Sequence, residues 1–398
     1  MSRLAGKNTV VSLIFNQDVN IDKSGDLTIT VLSPIENGVR HVTDFLVSTQ
    51  VCEKSPYLKP IIAMAEDPTE ICLGEELKRE GANKFGEKEG EDTEGVLVWL
   101  AHLHELTEEH MALLGLHEIS ITGIWHAIHM WNVFEHKKDM KALQPWFNKW
   151  CATNLVGKVL DLDTARLLAL PCQIFDHAVG FATITRYLAY NHTGHIKACQ
   201  QPKGCNANLT RLAPNDFLGP TNHARGGLKT ALTKSLWKKA GDVLRFKQSK
   251  CNCWDATVGQ YLGALVQLDA FPIEDVITHS SIREILERLK KFKYDWQPKC
   301  DICAGIDWLY VIKKTIVDTE RYFDGLCLDC MDRSKPKGNC LDDKYWKANA
   351  SGTGGRWDHR CRIKHNQPTW YVSWLGRDDT RQKLLKGASG GYRPMKDE

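Results

Sequence analysis

The stretch from Gly25 to Ala63 constrains the fold more than any other part of the chain. Leu27, Ile29 and Val31 alternate with Thr28 and Thr30. A period of two over this length predicts a strand buried on one face. Ser33, Pro34, Asn37 and Gly38 supply turn chemistry, and Val42 to Val47 reads as a second short strand. Ser48 then stands at the N-cap of a short helix. Ser55-Pro56 opens another, with Pro at the first helical position. Glu70 to Leu73 reads as a third short strand.

The strand, hairpin, strand and two short helices resemble the opening of a BTB/POZ domain, with the family's pattern D-L-x-(I/L)-x-V, then F-x-V-(S/H)-x-x-(V/L)-L-x-x-x-S-P-x-(F/L). Asp26, Leu27, Ile29, Val31, Phe45, Val47, Ser48, Val51, Ser55, Pro56 and Leu58 match it position by position. Cys52 stands where the family usually has Leu. The segment Leu143-x-Pro-Trp-Phe-Asn-Lys-Trp and the stretches Leu167 to Ala178 and Thr185 to Asn191 are similar to recurring segments of filamentous-fungal BTB proteins. The resemblance implies an α+β BTB/POZ-like domain over 8–153. It further implies pairing with itself or with protein partners, as a substrate adaptor for cullin-3 ubiquitin ligases or as a transcriptional regulator.

Beyond that domain the patterns are helical. The expected organisation is a helical extension and connector over 154–220, a helical region over 221–297, a Cys-rich zinc-knuckle-like module over 298–376 and a flexible tail over 377–398. Thr93 to Leu106 and Ser120 to Val133 carry apolar residues at helical spacing, and so do Thr221 to Lys247 and Cys253 to Leu268. Ser281 caps an amphipathic helix with Ile282, Ile285, Leu286 and Leu289 on one face. Glu75 to Glu94 is acidic and Gly-rich and reads as an exposed loop.

Charge divides unevenly. Residues 1–192 carry 17 Lys and Arg against 26 Asp and Glu, a balance of −9; residues 193–398 carry 35 against 23, or +12. The basic half admits a nucleic-acid partner, while a solvated Lys-rich surface is the plainer reading. No stretch approaches the ~20 apolar residues of a membrane span, and no signal-peptide pattern opens the chain. An intracellular protein of nucleus or cytoplasm is expected, with its 14 cysteines reduced or metal-bound.

Cysteine spacing carries the only strong chemical signal. Cys300-x2-Cys303 and Cys327-x2-Cys330 each place two thiols on a tight turn, the geometry tetrahedral Zn2+ takes from a knuckle. One helix, Trp308 to Tyr322, fills the 23 residues between the pairs. Four thiolates would close the coordination sphere, so this ion would be structural. Buried free thiols or a redox Cys-x-x-Cys are the alternatives. A weaker second site pairs Cys251 and Cys253 with Cys361 and His365, with Cys199, Cys205, Cys340 and His359 as competitors.

Other candidates carry less. His126 and His129 lie i, i+3 on a helix, which more often means helix surface than a metal site. Asp176-His177 reads as adjacent helix residues pointing apart, and Arg225-Gly-Gly precedes a basic helix. Trp346, Trp357, Trp370, Tyr371 and Trp374 among Arg356, Arg360, Arg362 and Arg377 allow base stacking, against a buried strand at Trp370 to Trp374. Phosphate-loop, dinucleotide, zinc-protease and nucleophile-elbow motifs are all absent from the sequence. The chain reads as a non-enzyme: an interaction or scaffold protein, or else a zinc-dependent nucleic-acid-binding protein.

Overall fold

The computed structural model describes residues 18–32, 42–73, 93–134, 140–155, 159–199, 201–202, 217–246, 251–329 and 361–365. The architecture is mixed α+β and mostly helical, with one four-stranded sheet among the described residues. The chain divides into two compact units: Met1–Gly180 with Cys199–Pro214, and Phe181–Ala198 with Asn215–Glu398. The Glu75–Asp92 loop, the hairpin turn at Ser33–Gly38, the Trp370–Trp374 segment and the tail lie outside the described residues.

In the first unit the sheet runs in the order β1-β3-β2-β4. Its strands are β1 (Asp18–Asn20), β2 (Leu27–Leu32), β3 (Val42–Val47) and β4 (Glu70–Leu73). β2 and β3 pair antiparallel, with Leu27 opposite Val47 and Ile29 opposite Phe45. β4 adds to β2 in parallel, with Ile71 beside Ile29. Leu27, Ile29, Val31, Phe45 and Val47 have no exposed surface, so the period-two pattern is the buried face. Helices α1 (Thr49–Cys52) and α2 (Leu58–Met64) follow. The Thr49 amide takes its cap from across the sheet, donating to Asp26 Oδ1 at 2.7 Å. The Ser48 N–H donates to His104 Nε2 at 3.1 Å. The second short helix begins at Leu58 rather than Pro56, and its Leu58 amide donates to Ser55 Oγ at 3.3 Å.

After the sheet in sequence, α3 (Thr93–Leu103) packs on α5 (Ile121–Phe134). A Cβ at Gly95 would crowd the His126 backbone, so glycine permits the close crossing. Between them lies the short α4 (Glu108–Leu113). The Pro-Trp-Phe-x-x-Trp motif forms α6 (Gln144–Asn154). Its indoles explain the spacing. Trp146 Nε1 donates to Leu116 O at 3.0 Å and Trp150 Nε1 to Ile119 O at 2.9 Å, stitching α6 to the segment before α5. Phe147 stacks on Trp150 and packs on Phe175, at the end of α7 (Leu162–Ile174).

The division between the units falls within α8 (Ala178–Asn191). The spine of the second unit is α9 (Leu218–Phe246), 29 residues and ~44 Å long. Ala224, Leu228, Leu232, Leu236 and Ala240 recur every fourth residue and are fully buried, so one stripe drives the docking of this basic helix. It packs against α10 (Trp254–Gln267), α11 (Ile273–Val276) and α14 (Trp308–Glu320). The Ser281 helix is α12 (Ile282–Leu289), closed by a capping box with Glu284. Arg225-Gly-Gly does not precede a helix. It lies inside α9, where Arg225 Nε donates to His192 O at 2.9 Å.

Candidate metal centre

The knuckle at Cys300 is built by local backbone geometry. Cys300 is the N-cap of the one-turn helix α13 (Asp301–Ala304), in extended conformation, and its Sγ accepts the Cys303 N–H at 3.4 Å. That contact orients the Cys300 sulfur over the first turn of α13. Cys253 stands at the N-cap of α10, with Cys251 two residues earlier. These two pairs meet. Cys251 Sγ lies 3.4 Å from Cys303 Sγ, and Cys253 Sγ lies 3.4 Å from Cys300 Sγ. All four sulfurs fall within 4.8 Å of one another. A tetrahedral Zn–S site with bonds of about 2.3 Å has edges of about 3.8 Å, so the cluster has the span of a four-thiolate cage.

The approach is set by the chain between the pairs. Phe292 packs on Tyr261 with ring centroids 5.8 Å apart, and Tyr294 Oη donates to Thr257 O at 3.1 Å. Cys300 then reaches Cys253. The segment 292–300 therefore runs back along α10 toward its N-terminus and delivers the second pair to the first. Trp308 closes this side by stacking on Tyr261 at 4.1 Å. Burial pushes the Cys303 thiol up to about 12, with hydrogen bonding to the Cys251 thiol next in weight. A sulfur here stays protonated unless a cation compensates its charge.

The structure groups the expected ligands differently from the spacing argument. Cys300 and Cys303 join Cys251 and Cys253, not Cys327. Cys327 instead meets Cys361 and His365, their ligand atoms within 4.8 Å of one another. The physical reason is the helix between the two Cys-x2-Cys motifs. Thirteen residues of α14 carry the chain ~20 Å away from the first knuckle, whereas α10 runs out and the segment 292–300 returns. Cys330, Cys205, Cys340 and His359 lie outside the described residues. Cys199 is a half-buried free thiol of the first unit, raised by burial.

A third group went unread in the sequence because no local spacing links it: Cys151 on α6, Cys172 on α7 and His177 in the turn after α7. Burial pushes the Cys172 thiol well up, and its hydrogen bond to Cys151 adds to this. His177 Nδ1 accepts the Gly180 N–H at 2.9 Å. The ring thus caps α8, a poorer fit to a metal than the four-sulfur cage. Asp176 and His177 sit in a turn, with Asp176 at φ 54°, so they are not helix neighbours. Burial holds the His129 imidazole down to about 4, with a smaller contribution from the charge of His126.

No described helix is long and apolar enough to cross a membrane. No protein-family model, curated protein or solved structure matches the chain.

Proposed function

We propose that this chain is a non-catalytic protein–protein interaction protein, with a BTB/POZ-like first unit as its docking element and a second unit braced by structural Zn2+. The pairing of the sheet supports the first half of this reading most directly. Two antiparallel strands and two short helices follow in the order the resemblance implies, and a third strand adds in parallel, with Ile29 between Phe45 and Ile71 at the buried centre. The four cysteines support the second half. Four sulfur ligands leave no position for a catalytic water. The partners proposed are a second copy of the chain and cullin-3.

Light scattering of the purified full chain, alone and mixed with the amino-terminal region of cullin-3, tests this. A dimer, or a stable co-eluting complex, supports the docking role. A monomer that ignores cullin-3 at micromolar concentration removes both named partners.

A second reading, nucleic-acid binding, has one observation in its favour. On α9, Trp237 is 40% exposed among exposed Lys234, Lys238 and Lys239. Cations around an aromatic suit a phosphate backbone with a stacked base. Binding of single-stranded RNA or DNA that falls steeply with salt would establish it, and no binding at low salt would remove it.

A further inference from the structure

We propose that Cys327, Cys361 and His365 hold a second metal ion, Zn2+, which fastens the segment Cys361–His365 to the second unit. This goes beyond the interaction reading and does not depend on it.

Two thiols and one imidazole, brought together from positions 34 and 38 residues apart, converge to within 4.8 Å. Cys327 has no exposed surface and His365 is 6% exposed. The donor set is soft and nitrogenous, which selects zinc over magnesium or calcium. Charge favours the same ion. Two thiolates and a neutral imidazole balance a dication, so the complex is neutral overall and its burial costs little, with the fourth tetrahedral position left to a water or a further ligand.

Both sides of the site are held in place independently of a metal. On one side, Gly325 takes φ +96°, and a Cβ there would overlap the Ala182 carbonyl of α8. The Leu326 N–H donates to Thr185 Oγ1 at 2.9 Å, and the Phe323 N–H to Tyr190 Oη at 3.3 Å. These contacts seat the Cys327 loop on α8. On the other side, Arg362 binds Asp329. Its backbone N–H donates to Oδ2 at 2.7 Å, and its Nε and Nη2 reach Oδ1 at 2.9 and 2.8 Å. Asp329 is two residues from Cys327 and Arg362 is next to Cys361, so this clamp presents the two thiols to each other. The segment Cys361–His365 contains neither helix nor strand. The clamp on Asp329 orders the start of this segment, and a metal bound by Cys361 and His365 would fix both of its ends to Cys327.

The test is zinc content per chain, by elemental analysis and native mass spectrometry, on full-length protein purified without added metal. Two zinc ions are expected in the unaltered chain. His365→Ala should reduce this to one, Cys300→Ser should also leave one, and the double variant should hold none. His365→Cys restores a ligand and should return the count to two. In the Co2+-substituted form it should also raise the sulfur charge-transfer absorption above that of the unaltered chain. That band guards against a variant that merely misfolds. One zinc in the unaltered chain, lost in Cys300→Ser and kept in His365→Ala, would overturn the proposal. So would two zinc ions retained in folded His365→Ala.

Discussion

The sulfur of Cys251 stands 3.4 Å from that of Cys303, across 52 residues of sequence. The chain between them forms α10, α11 and α12 before returning. Two thiols at that distance are in contact without being bonded, and both are free cysteines. Their proximity makes metal content the first quantity to control in the second unit.

If the four-sulfur cage holds the proposed Zn2+, its removal should loosen the second unit locally. Structural zinc contributes about 10–16 kcal/mol of apparent binding free energy in small modules, as much as the ~5–15 kcal/mol by which whole domains are stable. Cys303→Ser, or a strong chelator, should strip hydrogen-exchange protection from the amides of α13 and the start of α14. The strands β2 and β3 should keep theirs. Unchanged protection around Cys300 would show that packing alone holds the cage.

Trp308 should matter independently of the metal. It is 1% exposed and stacks on Tyr261 at 4.1 Å. Trp308→Ala should cost about 3–5 kcal/mol, read as a shift in the denaturant midpoint of the second unit. A shift below about 1 kcal/mol would mean the surroundings collapse into the space.

Gly325→Ala probes the seat of the Cys327 loop. The positive φ and the close approach to Ala182 both exclude a side chain. The substitution should cost at least about 2 kcal/mol and raise proteolytic cleavage between Phe323 and Asp329. An alanine variant with unchanged melting and cleavage would contradict the tight docking on α8.

Acid should weaken the first unit through its histidines. His129 is held down from its ordinary 6.5 to about 4 by burial first, and burial also lowers His104. The unfolded chain therefore binds protons that the folded one refuses. The stability is fully present above pH 6.5 and is lost as pH falls toward 4. His129 accounts for about 2 kcal/mol of this, allowing for the partial exposure of its ring. His104 adds a specific loss, because its protonated Nε2 can no longer accept the Ser48 N–H. Urea titrations at pH 7.5 and 5 measure the difference, and His129→Gln should flatten it. An equal slope in that variant would assign the acid sensitivity elsewhere.

Local faces were legible in short windows of the chain. The alternation at Leu27–Val31 settled which residues lie under the sheet. The cap at Ser281 marked where α12 begins. The spacing of Cys300 and Cys303 put both thiols on one tight turn, which the structure forms as α13. Each of these depends on a repeat of two or 3.6 residues, or on a hydrogen bond spanning three, and such information is complete within a short window. Which cysteines meet depends instead on the folded path. A thiol reaches little beyond its own backbone, so its neighbour is set by the length and direction of every helix between. A single helix, α14, separates Cys303 from Cys327. An outgoing helix and a returning segment bring Cys253 to Cys300. The meeting of Cys151, Cys172 and His177, and the clamp of Arg362 on Asp329, are likewise products of the folded path.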